Sequence, residues 1–225
     1  MTRSKMLAAA AASALALSFG TAASALTTFT LTSLNTSGYP APYGTVAVDL
    51  TSPTMATVTF TAGSAAGFDY FFIDSGIADV NVNATSWTIT SLTTDGLSGA
   101  TIADDGSGNV DGWGTFNQTT KQSDGYGSRA TSISYVLTDT SGIWLTSDNV
   151  LIANADGHSV AAHIAVCSLS TNPDCNSDQG AAFTGFATNG PPGVIPEPAT
   201  WGLMLVGFFG AGALIRSRRK ALAAA

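Results

Sequence analysis

The sequence predicts an all-β protein: an antiparallel, jelly-roll-like β-sandwich flanked by a signal helix at the N-terminal end and a single transmembrane helix at the C-terminal end. Between the ends, Thr, Ser, Gly, Ala and Val form short runs in which apolar and polar residues alternate. Gly-, Asp- and Pro-rich stretches separate these runs. Outside the two ends, no helical period of useful length occurs. Many short strands in one domain favour a β-sandwich.

Residues 1–25 have the three parts of a secretory signal peptide. Arg3 and Lys5 precede an apolar run from Met6 to Phe19, and the segment closes on Ala23-Ser24-Ala25. A membrane-spanning anchor is less well supported, because the run is short and no stop-like segment follows it. We therefore expect export through the Sec machinery and cleavage after Ala25, with Ala23 and Ala25 as the small residues of the cleavage site.

Residues 26–190 are expected to form the outer domain. Thr45–Leu50 and Ala56–Thr61 alternate on either side of Ser52-Pro53-Thr54, which predicts a β-hairpin. Three further runs alternate in the same way: Trp87–Ile89, Ile133–Tyr135 and Val160–Val166. The segment Asp104–Gly108 is rich in Asp and Gly, and it predicts a break between strands.

The chain has two cysteines, Cys167 and Cys175, in a loop-like stretch. In an oxidising compartment, a pair this close in sequence predicts a disulfide. A metal site is the less favoured interpretation, because there is no second cysteine pair. We expect neither a metal nor a cofactor.

The charge distribution separates the outer domain from the ends. The chain carries eight Lys and Arg against fifteen Asp and Glu, for a net charge of −7, and only Lys121 and Arg129 of the cations lie between the two ends. Such an acidic domain argues against nucleic acid and other anionic polymers as partners.

Residues 191–225 form a tail with three parts. A Pro-rich linker spans residues 191–198, and residues 199–215 contain no charge. At about 1.5 Å per residue a helix of that length measures about 26 Å, which suits a hydrocarbon core of about 30 Å with snorkelling cations. The basic end, residues 216–225, contains Arg216, Arg218, Arg219 and Lys220. By the positive-inside rule these cations place the end in the cytoplasm.

The motif Pro196-Glu197-Pro198, followed by Trp201, the apolar segment and the basic end, resembles the PEP-CTERM sorting signal of the PEPxxWA type. Gly202 stands where that pattern usually has Ala. The resemblance implies export across the inner membrane of a Gram-negative bacterium, recognition by an exosortase-type membrane enzyme, and association with extracellular polysaccharide or biofilm. Runs in the outer domain also resemble outer domains of PEP-CTERM proteins, which implies no activity for individual residues.

No catalytic residue is predicted. The two histidines, His158 and His163, are five residues apart and point to opposite faces of a strand, so sharing a metal would require a bend. A packed or surface histidine is the favoured interpretation. The scattered aspartates supply chance carboxylate pairs, and no Gly-x-Ser-x-Gly nucleophile motif occurs.

Three patterns in the outer domain are compatible with ligand binding. Asp105, Ser107, Asn109 and Asp111 space oxygen ligands as calcium loops do, but the EF-hand glycine position and the bidentate Glu do not match, so a polar turn is favoured.

Trp113 and Tyr126 lie between glycines and could stack on sugars, although core packing is the commoner role. Thr57, Thr59 and Thr61 form a row like those of ice-binding faces, although Thr is common on any solvent-facing strand.

The favoured function is therefore a non-enzymatic, exported surface or matrix protein that is structural or associated with polysaccharide. The alternative is a secreted glycan-active enzyme or a carbohydrate-binding module, with ice binding less favoured.

Overall fold

The structure is a computed structural model that describes residues 26–96, 101–122 and 125–190. These residues form strands, turns and three short 3-10 helices, without an α-helix. Within this part of the chain, no helix has the length and hydropathy needed to span a membrane. The predicted all-β, antiparallel architecture is confirmed.

Twelve strands make up the domain. They are β1 (Thr27–Leu34), β2 (Gly44–Ser52), β3 (Met55–Ala62), β4 (Ser64–Ala65), β5 (Phe68–Phe72), β6 (Asp79–Val80), β7 (Trp87–Thr94), β8 (Ile102–Val110), β9 (Gly114–Gln122), β10 (Ser132–Asp139), β11 (Val160–Ser168) and β12 (Phe183–Asn189). The 3-10 helices are Tyr126–Ser128, Ser147–Asn149 and Ser177–Gln179.

The strands join in the order β7-β10-β3-β2-β1-β12-β11-β6-β9-β8, and β5 also pairs with β11. All pairings are antiparallel. The sheet curls until its edge strand β7 approaches the opposite edge, formed by β8 and its neighbour β9. At this seam the Trp87 indole donates to the Gln118 side-chain oxygen at 2.9 Å, and the Thr94 hydroxyl donates to that of Gln122 at 3.0 Å. The sequence predicted a sandwich; the sheet forms a nearly closed barrel.

The predicted hairpin is confirmed. It is formed by β2 and β3, whose apolar residues Val46, Val48, Val58 and Phe60 are all buried. Alternation places these side chains inside the barrel and the intervening residues outside. The runs at Trp87, Ile133 and Val160 lie in β7, β10 and β11, as expected.

Strand β11 is buried on both faces, which its simple alternation did not predict. Val160 and Ile164 belong to the main core, whereas Ala161 packs in a second cluster with Val110 and Phe116. The second cluster forms because the turn between β8 and β9 and the ring of Phe186 cover the outer side of β11.

The predicted break at Asp104–Gly108 is wrong. This segment lies inside β8, an exposed strand that pairs along β9. The pairing register shifts between Asp104 and Gly106 and again between Gly106 and Gly108. Glycine is common at such bulges, because it adopts backbone conformations that other residues avoid. An Asp- and Gly-rich composition, which is typical of turns, is therefore also compatible with an irregular strand. The turn lies farther on, at Asp111–Trp113.

Candidate functional site

A surface rich in hydroxyl groups covers the outer side of β7, β10, β3, β2 and β1, which are neighbours in the sheet. Most inward side chains of these strands are apolar and pack in the core. We call the outward set the hydroxyl face. Its hydroxyl-bearing members are Thr28, Thr30, Thr45, Thr57, Thr59, Thr61, Thr88, Thr90, Thr93, Ser132, Ser134 and Thr138.

The strand register aligns these residues in rows. One row crosses all five strands through Thr28, Ala47, Thr59, Ser134 and Thr93. Within it, the hydroxyls of Thr59 and Ser134 lie 3.1 Å apart and share a hydrogen bond. Because neighbouring strands are about 4.8 Å apart, the row extends for about 19 Å across the sheet.

Charge is nearly excluded from the hydroxyl face. Among the outward residues of its five strands, all of which the structure describes, Asp49 is the only charged one. Threonine favours solvent-facing strand positions for its β-branched shape, so hydroxyl content alone does not indicate a site. The hydroxyl face is distinguished instead by the alignment of its hydroxyl groups in rows across five nearly uncharged strands.

The hydroxyl face is curved. Adjacent strands rotate by about 20–25° relative to one another, so rows of hydroxyls across five strands of a barrel do not lie in one plane. Each hydroxyl both donates and accepts a hydrogen bond, and each Thr adds a methyl group. Such a surface can exchange hydrogen bonds with a flexible, hydroxyl-bearing polymer more readily than it can match a flat crystal. The threonine row predicted at Thr57, Thr59 and Thr61 is the part of the hydroxyl face that lies on β3.

The predicted disulfide is confirmed. Cys167 at the end of β11 and Cys175 in the following loop are bonded, with the sulfurs 2.12 Å apart. Arg129 holds this loop from outside: its guanidinium donates to the Cys175 carbonyl at 2.5 Å and lies 4.3 Å from the centre of the Tyr126 ring. These contacts fix the loop against the barrel.

The two histidines have different packing roles. His163 stacks on Phe186 with ring centres 4.3 Å apart, and its Nδ1 lies 4.0 Å from the Asp74 carboxylate. Burial lowers the pKa of His163 below its ordinary value, although Asp74 and the Ser75 carbonyl act in the opposite direction. His158 lies in a loop, where its Nδ1 is 3.1 Å from the Asn189 carbonyl. The structure does not bring the two rings together.

Neither proposed sugar-stacking aromatic is free. The Trp113 indole donates to the Phe186 carbonyl at 2.9 Å, and its ring meets His158 edge-to-face at 5.0 Å between centres. Tyr126 is half-buried and carries the Arg129 guanidinium on its face. Both rings therefore serve packing in this structure.

The oxygen-rich segment from Asp105 to Asp111 does not form a calcium loop or, over most of its length, a turn. Asp105 pairs with Lys121 at 2.5 Å, and Ser107 and Asn109 lie in β8. Across the described ranges, no group of three or more His, Cys, Asp or Glu side chains is gathered to hold a metal.

A buried carboxyl was missed by the sequence interpretation. Asp79 is fully buried beside β9, where the Thr120 amide donates to its Oδ1 at 3.4 Å and its Oδ2 has no hydrogen-bond partner. Burial raises the pKa of Asp79 well above its ordinary value; the Thr120 hydrogen bond opposes this, and the charge of Asp105 adds to it. No periodicity marked this residue, because β6 has only two residues.

The predicted processing and sorting residues lie outside the described ranges. They are Ala23, Ala25, Pro196, Glu197, Pro198, Trp201, Arg216, Arg218, Arg219 and Lys220. Their roles stay predictions.

No protein-family model, no curated protein and no solved structure matches the chain.

Proposed function

We propose that this chain is an exported bacterial surface protein whose barrel binds neutral extracellular polysaccharide through the hydroxyl face. The observation that carries the binding role is the alignment of Thr and Ser hydroxyl groups in rows across five adjacent, nearly uncharged strands. Neutral sugars present hydroxyl donors and acceptors, which Thr and Ser side chains match. Acidic polymers would be repelled by the aspartates elsewhere on the barrel.

The proposal includes the route to the surface. A signal peptide directs the chain through the Sec machinery, and the PEP-CTERM-like tail holds the precursor in the inner membrane of a Gram-negative bacterium. An exosortase-type enzyme then reads Pro196-Glu197-Pro198 and Trp201, while Arg216, Arg218, Arg219 and Lys220 orient the helix. The Cys167–Cys175 bond supports export, because disulfides persist in oxidising compartments.

The finer architecture is also part of the proposal. A flattened barrel packs two layers against each other, which corresponds to the jelly-roll-like sandwich expected from the sequence. The edge-to-face contact of Phe60 on β3 with Phe72 on β5, at 6.0 Å between ring centres, supports such packing of two layers. The signal helix and the transmembrane helix would flank this domain.

Binding is proposed without catalysis. Polysaccharide binding by single hydroxyls is weak, so many hydroxyls and many copies of the protein would act together on one polymer. The alternative, a glycan-active enzyme, would need a pair of carboxyl groups flanking a scissile bond. Release of reducing sugars by the purified protein would favour that alternative.

Affinity electrophoresis tests the binding role. The mature protein should be retarded in gels containing dextran, a neutral glucan, and not in gels containing anionic alginate. A variant with Thr59→Asp and Ser134→Asp should bind dextran at least tenfold less tightly, or about 1.4 kcal/mol, because hydrated carboxylates keep the polymer away from the central row.

The control variant carries the same added charge on β8, as Ser107→Asp and Asn109→Asp, and both positions are exposed. It should keep the retardation of the unmodified protein. Equal loss in the two variants would show that net charge, not the hydroxyl face, governs binding. Inhibition of ice growth without any retardation would instead favour the planar-crystal alternative.

A further inference from the structure

Exposed apolar side chains collect at one end of the barrel. Leu145 is 79% exposed, Ile143 61%, Leu26 59% and Met55 41%. We call this the near end. Of the large apolar residues that are exposed in the described ranges, these four make up all but Ile152.

Two hydrogen bonds bring these residues to the same end. The backbone amide of Trp144, between Ile143 and Leu145, donates to the carbonyl of Pro53 in the β2–β3 turn at 2.7 Å, and Met55 begins the strand after that turn. The Thr27 hydroxyl, next to Leu26, lies 2.7 Å from the hydroxyl of Ser147.

The loop after β10 directs the side chains of Ile143 and Leu145 toward solvent, because Trp144 between them is buried. Trp144 is 2% exposed, and its indole donates to the Asn83 carbonyl at 2.9 Å. Just before it, the Asp139 carboxylate accepts hydrogen bonds from the amides of Ser141 and Gly142. The two apolar side chains thus flank a buried anchor, beside a groove of about 530 Å³.

The last described strand, β12, runs toward the near end. Strand β12 runs antiparallel to β1, and Asn189 pairs with Leu31. Because β1 begins at the near end with Thr27, β12 runs toward that end. Eight residues, 191–198, separate Gly190 from the apolar segment that begins at residue 199. Fully extended, at about 3.3–3.6 Å per residue, they reach less than about 30 Å.

We propose that the near end is a lipid-facing surface: Ile143 and Leu145 dip into the outer leaflet of the membrane that the C-terminal segment spans. This inference rests on the tail anchoring of the proposed function. A linker of that length keeps the barrel beside the bilayer, where two projecting apolar side chains gain by leaving water. Asp49 follows Val48, the residue that pairs with Thr27, and Asp148 accepts a hydrogen bond from the Thr27 hydroxyl. These carboxylates disfavour anionic headgroups, so the surface fits zwitterionic lipid.

A second copy of the chain fits this surface less well. A stable protein interface buries about 800 Å² on each partner, with aromatic and apolar residues at its centre. Four separated aliphatic side chains at the rim of a barrel do not provide such an area.

A single fluorescent label tests the proposal. Both native cysteines are bonded, so Leu145→Cys introduces one reactive thiol for an environment-sensitive nitrobenzoxadiazole probe. The control is Ser37→Cys, at an exposed position in the segment that joins β1 to β2 at the opposite end. The chain from Leu26 to Ala225 is reconstituted into phosphatidylcholine vesicles and floated on a density gradient.

The expected result is a blue shift of the probe at position 145, with quenching by lipid-attached nitroxide, and neither effect at position 37. Adding Ile143→Asp to the Leu145→Cys protein should abolish the shift while flotation persists. Flotation without any shift at 145 would overturn the lipid-facing surface and leave the tail anchoring intact.

Failure to float would overturn the anchoring, and the inference with it. A shift that needs no vesicles and grows with protein concentration would identify a second copy as the occupant and overturn the proposal. Persistence of the shift in the Ile143→Asp protein would also contradict it.

Discussion

One of the two hydrogen bonds across the barrel seam is made by the buried side-chain amide of Gln118. Gln118 is 3% exposed, and its oxygen accepts from the Trp87 indole at 2.9 Å. Its nitrogen donates to Asp104 at 2.8 Å and to the Thr119 carbonyl at 3.0 Å. Replacing Trp87 by Phe keeps an aromatic ring on β7 but removes the donor, so the Gln118 oxygen is left buried and unpaired.

An unpaired buried acceptor costs about 1–3 kcal/mol. We therefore expect Trp87→Phe to lower the free energy of unfolding by about 2 kcal/mol, which corresponds to about 4–8 °C in melting temperature for a domain of this size. The measurement is urea unfolding of the purified protein, monitored by far-ultraviolet circular dichroism. The dependence of the unfolding free energy on urea concentration should stay unchanged, because the substitution hardly alters the surface area that unfolding exposes.

A double-mutant cycle isolates the hydrogen bond. Gln118→Leu removes the other partner, and the combined variant places two apolar side chains of similar shape at the seam. Since neither partner then remains unpaired, the combined loss should be smaller than the sum of the single losses by about 0.5–1.5 kcal/mol. Additivity within about 0.3 kcal/mol would refute the reasoning that this hydrogen bond holds the seam.

Two further predictions concern the buried carboxyl and the tail. Burial raises the pKa of Asp79 in the folded state above its value in the unfolded state. The contribution of this group to the free energy of unfolding is therefore fully present below the unfolded-state pKa, and it is lost as the pH rises through the folded-state pKa. Asp79→Asn should therefore gain stability relative to the unmodified protein as the pH rises from 4 to 8, in urea titrations at each pH; parallel curves would contradict this. Replacing Pro196-Glu197-Pro198 by three alanines should leave secretion intact and cause unprocessed precursor to accumulate in the inner membrane, as seen by immunoblot of membrane fractions in a host with an exosortase. Normal maturation of that variant would show that the motif is not read.

Regular alternation was the part of the fold that the sequence predicted well. The β2–β3 hairpin has buried Val and Phe on one face and Thr on the other, which is the clearest signal of a half-buried strand. Strand β9 lacks that signal, because its inward positions include Gln118, Thr120 and Gln122, which are buried. These side chains have hydrogen-bond partners far away in the sequence, at Trp87, Ala78 and Thr94. Such long-range partners cannot be predicted from a local pattern.

The candidate site was predicted only in part for the same reason. Thr57, Thr59 and Thr61 suggested a short hydroxyl row on one strand. Its continuation depends on which strands are neighbours, and the β3–β10 pairing joins residues about 75 positions apart in sequence, such as Thr59 and Ser134. The exposed loop residues Ile143 and Leu145 have no periodicity at all; only the buried Trp144 between them gives them a defined direction.

The irregular edge strand β8 has a consequence for crowding. An exposed sheet edge can template pairing with another chain, which leads to aggregation. Here the β8 edge carries Asp104 and Asp105, has two shifts in its pairing register, and lies near the other edge, β7. Irregular, charged edges of this kind resist strand addition. At high concentration the barrels would thus stay separate instead of fusing into fibrils.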